Sequence, residues 1–126
     1  MPLPTRHLDD LPVLITTAIP PIEEPYQLVR DLRDYVDTYL AEHHDPVVYR
    51  IVDVSQVDLT LFEGMNGLAE DAANATDRER FMFVGQSEMV RILADAAAQE
   101  QYGAHGARAY STLDDAMADI RAELRR

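Results

Sequence analysis

Apolar residues along this chain fall into short dense runs, separated by longer stretches in which they recur every three or four positions. Short runs of that kind predict strands and the longer period predicts helices. Val13–Ile19 (VLITTAI) predicts a firm strand, with Leu3–Leu8 as a short strand before it and Asp9–Pro12 as the turn between them. Val47–Val54 predicts a third strand, and only Arg50 and Asp53 interrupt its apolar run. That is the pattern of a strand covered on both faces. Arg80–Val84 (RFMFV) and Ala107–Tyr110 predict the remaining two.

The helical segments lie between these runs. Ile22, Tyr26, Val29, Leu32, Val36 and Tyr39 or Leu40 define an amphipathic helix that starts near Glu23–Pro25 and ends near His43. Proline suits a first helical turn and acidic residues suit a helix N-terminus. A second helix is expected to open at Thr60, whose hydroxyl and the Glu63 carboxylate form a capping box. Leu61, Met65, Leu68 and Ala72 line its inner face. Gly85 and Ser87 mark a turn and an N-cap for a third helix with a buried stripe of Met89, Ile92, Leu93 and Ala96. It stops around Tyr102–Gly103, where glycine suits the left-handed terminal position. Ser111 or Thr112 caps the last helix, carried by Leu113, Met117, Ile120 and Leu124. The order is β-β-α-β-α-β-α-β-α. It predicts one α/β domain over residues 1–126, a mixed sheet of four or five strands with four helices, parallel where helices intervene.

Composition narrows the chemistry. A chain of 126 residues has the size of one compact domain. With no cysteine, disulfides, thiolate catalysis and cysteine-ligated metals are excluded, and a cytoplasmic location is expected. No apolar run approaches the ~20 residues of a bilayer span, and the start MPLPTRHLDD does not read as a signal peptide. A net charge of −12 argues against nucleic acid and anionic membrane surfaces as partners. All 11 basic residues are arginine, which removes Schiff-base lysines, a P-loop lysine and the lysine of response-regulator receivers. Genomic base bias is a sufficient cause of a lysine-free, alanine- and aspartate-rich composition.

Three places carry a family resemblance. Val52-Asp53-Val54-Ser55-Gln56-Val57 ends a strand, Gly64-Met65 sits early in the expected second helix, and Ala109-Tyr110-Ser111-Thr112-Leu113-Asp114-Asp115-Ala116 joins a strand to a helix. Together with the element order, they resemble the STAS domain of anti-sigma-factor antagonists and the wider SpoIIAA-like group. The resemblance spans nearly the whole chain, through short motifs. It implies a regulatory protein-binding module with an anti-sigma-like or kinase-like partner. Antagonists of that family carry an Asp-Ser-Ser-Gly turn whose serine is phosphorylated. This chain reads Leu61-Phe62-Glu63-Gly64 there, so Glu63 stands in the serine's place and the usual phosphorylation switch is lost. Glu63 is read as the partner of Thr60 in the cap, or as a weak fixed-charge mimic, about −1 against −1.5 to −2 for a phosphoserine.

Other chemistry-bearing residues have plainer readings. Asp53, Ser55, Asp58 and Glu63 gather near one strand end, where a divalent ion or a general base would sit. They are strung along a turn, however, and such residues fix turns by bonding main-chain amides. His43 and His44 point about 100° apart on a helix, which suits a helix terminator better than a shared zinc ion. His105 lies in a glycine-flanked loop, and His7 has no partner visible in the sequence. Ser55, Ser87 and Ser111 occupy turns or caps, and none sits in a nucleophile elbow. No cofactor or metal is expected. Tyr35 falls off the main stripe of its helix and suits an exposed aromatic contact.

Three functions fit these residues. The first is a non-catalytic STAS-like interaction module that uses Gln56, Asp58, Phe62, Glu63 and Gly64, with Phe62 as apolar anchor. The second is a small-ligand (lipid or nucleotide) binding protein with a pocket near Phe81, Phe83, Met65 and Met89. The third is a small α/β hydrolase built on Asp53 and Asp58. A homodimer is compatible with each.

Overall fold

The computed structural model describes residues 3–58, 75–98 and 107–125. Five strands form one mixed sheet in sequential order: β1 (Thr5–His7), β2 (Val13–Thr17), β3 (Val48–Asp53), β4 (Glu79–Val84) and β5 (Arg108–Tyr110). β1 runs antiparallel to β2, with Arg6 opposite Ile15, and the other neighbours are all parallel. Among the described residues there are three helices: α1 (Pro25–Glu42), α2 (Glu88–Ala98) and α3 (Leu113–Leu124). The expected helix beginning at Thr60 lies outside the described residues, as does the expected helix end at Tyr102–Gly103.

The sheet is buried on both faces. On one, Val52, Phe81 and Phe83 pack with Val29 of α1 and Val90, Leu93 and Ala94 of α2, while Leu14 and Val48 pack beneath Leu32, Val36, Tyr39 and Leu40. On the other, Val13, Ile15, Tyr49, Ile51, Met82 and Val84 meet Ala116, Met117 and Ile120 of α3. Sequential parallel strands joined by crossovers of one hand put the connecting helices on one face. The last helix follows the last strand and is free to cover the other. β3 is central and double-covered, which explains its nearly unbroken apolar run.

Several boundaries shift, for local reasons. The first strand forms, over Thr5–His7 instead of Leu3–Leu8. The second stops at Thr17, short of Ile19, which is 40% exposed ahead of a cis Pro20–Pro21 peptide. Glu79 opens β4 one residue early, and β5 begins at Arg108 instead of Ala107. Helix α1 starts as expected, with Pro25 in its first turn behind a left-handed Glu24 (φ 52°). Tyr26 does not join its stripe and is 46% exposed, because it lies about 90° round the helix from the buried centre. In α2 Leu93 is buried as expected and Met89 is partly buried against the same core, but Val90 and Ala94 complete the buried stripe and Ile92 is 49% exposed. Periodicity gives the repeat of a helix without choosing between two apolar faces that share Leu93. Leu124, in the last turn of α3, is 42% exposed.

Candidate functional site

The carboxyl ends of the parallel strands are tied into a single rim by main-chain hydrogen bonds that run one step beyond the strands. Ala18 N–H donates to Asp53 O, Val54 N–H to Val84 O, and Gly85 N–H to Tyr110 O, each at 2.9 Å. In each pair the amide just past one strand reaches the last carbonyl of the next. The segments that follow β2, β3 and β4 therefore start from a common, hydrogen-bonded edge.

Side chains fix each turn locally. Asp53 Oδ1 accepts from the Ser55 amide at 2.9 Å and from the Ser55 hydroxyl at 2.6 Å. This is the turn-fixing role expected of an aspartate and serine two residues apart. Val57 is partly buried against the core, whereas Ser55, Gln56 and Asp58 are exposed. On the next turn, a Cβ at Gly85 would stand 2.7 Å from Val90 Cγ2 and 3.6 Å from the Ser55 main chain. Glycine there lets α2 and the β3 turn close on the end of β4. Ser87 Oγ accepts from Met89 N–H at 3.2 Å, and Gln86, Ser87 and Glu88 are exposed beside the first turn. Thr112, not Ser111, caps α3, accepting from Asp115 N–H at 3.1 Å. Of the five residues expected to form a docking surface, the structure places Gln56 and Asp58 on this rim. Phe62, Glu63 and Gly64 lie outside the described residues, as does the Thr60–Glu63 capping box.

Met65, expected with Phe81, Phe83 and Met89 at a ligand pocket, lies outside the described residues, as does His105. Phe81 and Phe83 are 2% and 1% exposed and packed in the core. Among the described residues no group of three histidine, aspartate or glutamate side chains is placed to hold a metal ion. His43 terminates α1: its ring stacks on Tyr39 at 3.9 Å, and its Nδ1 is 3.0 Å from the Tyr39 carbonyl. His7, which shows no partner in the sequence, lies 5.8 Å from the Tyr39 ring and 6.1 Å from the His43 ring.

Two polar assemblies escape a reading of the sequence. Arg78 closes the end of α1, donating to the carbonyls of Leu40 (2.9 Å), His43 (2.6 Å) and Asp45 (3.0 Å). Replacing Arg78 with alanine orphans those carbonyls and is expected to cost about 1–2 kcal/mol in urea unfolding; an unchanged midpoint would contradict this role. The second assembly is a buried ionic network. Glu79 Oε1 accepts from Arg33 (3.0 Å) and Arg50 (2.9 Å), and Oε2 from Arg33 (3.0 Å) and the Thr76 amide (2.6 Å). The Glu79 side chain is fully buried and that of Arg50 is 1% exposed, with its guanidinium 4.7 Å from the Phe81 ring centre. Burial pushes the Glu79 carboxyl up. The Arg33 hydrogen bonds, the Arg50 charge and the Thr76 amide outweigh it, so the group sits below its ordinary value.

On the α3 face, Tyr49 donates to Glu123 (2.8 Å) and Tyr110 to Asp119. Arg108 pairs with Asp119 (2.9 Å) and Glu123 (2.7 Å). Burial and the Asp119 hydrogen bond hold the Tyr110 phenol well above its ordinary value, so it remains a donor that anchors α3. No protein-family model matches this chain, and no characterised protein matches it by sequence.

Proposed function

We propose that this chain is a non-catalytic, STAS-like interaction module that docks a protein partner on the rim at the carboxyl ends of β3 and β4. Gln56 and Asp58 provide the polar contact, and Phe62, Glu63 and Gly64 continue it. The observation that supports this reading is the pinned rim itself. The segments after β2, β3 and β4 are held by main-chain bonds, and exposed polar side chains stand on the last two. A pre-organised surface loses little entropy on binding. The hydrolase reading is weakened because the Asp53 carboxylate is engaged by Ser55. The net charge of −12 favours a protein partner over nucleic acid. By the resemblance, that partner is an anti-sigma-like or kinase-like regulator, and Glu63 removes a serine-phosphate switch from the contact.

A photo-crosslinking residue at Gln56, compared with one at exposed Arg121 on α3, tests the proposal in lysate of the source cells. Gln56 is expected to capture one discrete protein that Arg121 does not, and Asp58→Arg is expected to abolish the capture while the protein stays folded. Equal labelling from both positions would refute the docking surface.

A further inference from the structure

Beside the sheet, well apart in sequence from the rim turns, a groove of about 380 Å³ runs between the β1 edge and α1. Its walls are Leu3, Pro4 and Thr5 on one side and Leu28, Leu32 and Tyr35 on the other, so its surface is mostly hydrocarbon. Leu32 is 4% exposed and forms the floor, whereas Tyr35 is 38% exposed. The volume lies within the range of small-molecule sites.

One carboxylate breaks the apolar lining. Asp31 is one helical turn from both Leu28 and Tyr35 and lines the same groove. Among the described residues, its Oδ1 accepts from the Gln27 side-chain amide at 2.9 Å. The guanidinium of the adjacent Arg30 is held on the Gln27 carbonyl oxygen at 3.0 Å. The groove thus sets one exposed carboxylate at the side of an apolar trough, in a protein of net charge −12.

We propose that this groove binds a small amphipathic primary amine, with its hydrocarbon part along Leu28, Leu32 and Tyr35 and its ammonium on Asp31. Apolar burial supplies the affinity, and the carboxylate selects the cation over a neutral or anionic head of the same length. The groove shares no lining residue with Gln56 and Asp58, and its proposal does not rest on the docking surface.

The test uses amide chemical-shift titrations of the ¹⁵N-labelled full chain with hexylamine, hexanol and hexanoate. Hexylamine is expected to shift the amides of Thr5, Leu28 and Tyr35 with a midpoint roughly fivefold lower than hexanol, as for a partly exposed ion pair. Hexanoate is expected to bind weakest. Asp31→Asn, an exposed substitution, is expected to bring hexylamine to the hexanol midpoint and leave hexanol unchanged. Three probes that titrate alike, shifts centred away from the groove, or an amine preference that survives Asp31→Asn would each overturn the proposal.

Discussion

Glu79→Ala is expected to lower the unfolding free energy by about 3–5 kcal/mol, because it takes the buried carboxylate away from Arg50 and Arg33, of which Arg33 keeps its pair with Asp37 at 2.9 Å. Arg50 is 1% exposed and Arg33 14% exposed, so water cannot readily take the place of the carboxylate. The loss of Glu79's bond to the Thr76 amide also frees the turn that leads into β4. Urea unfolding of wild type and variant measures the difference, and a loss below about 1 kcal/mol would contradict the network. The same residue carries a pH signature. Its carboxyl sits below its ordinary value when folded, so its contribution is fully present above the unfolded value of about 4.3. That contribution is lost as pH falls through the folded value. Wild type should therefore lose more stability on acidification than Glu79→Ala, and parallel pH profiles would contradict the assignment.

Gly85→Ala is expected to cost about 1–3 kcal/mol through overpacking. The new methyl would lie 2.7 Å from Val90 Cγ2, and Val90 is a stiff β-branched residue, 2% exposed, in α2. The conflict is with one side chain, so the two sites must couple. Gly85→Ala combined with Val90→Ala should cost less than the sum of the single changes, by at least about 0.5 kcal/mol. Strict additivity in thermal or urea unfolding would show that close approach is not what glycine provides here. Because this turn neighbours Ser55, Gly85→Ala should also weaken capture through Gln56.

What the sequence reveals of this fold follows the range of the forces involved. β3 reads clearly because burial on both faces demands an apolar run, and α1 because Val29, Leu32, Val36 and Leu40 leave one phase for the stripe. Ser87 reads as a cap, and Thr112 as one of two candidates beside Ser111, because their partners, Met89 and Asp115, are two and three residues away. The phase of α2 does not read, since Ile92 repeats with Met89 and Ala96 while Val90 repeats with Leu93 and Ala94. The Glu79 network is invisible for a different reason. Arg50 and Glu79 are 29 residues apart, and Arg33 and Glu79 are 46 apart. The parallel register that sets Val48 beside Glu79 brings the first pair together, and α1 folding across the sheet brings the second. Arg78 reaches back 33 to 38 residues to the end of α1 in the same way. At the candidate site, the turn role of Asp53 and Ser55 is local and legible. The alignment of three segments on one rim depends on strand order, which no residue pattern states.

Hydrogen exchange at the amides of Ala18, Val54 and Gly85 tests the pinned rim most directly. These three lie outside the strands in sequence but donate into the next strand's last carbonyl. They are predicted to exchange as slowly as the strand amides of β3, while the exposed Gln56 amide exchanges quickly. Exchange of all three at the rate of Gln56 would mean that the turns are not held together, and the docking platform would have no structural basis.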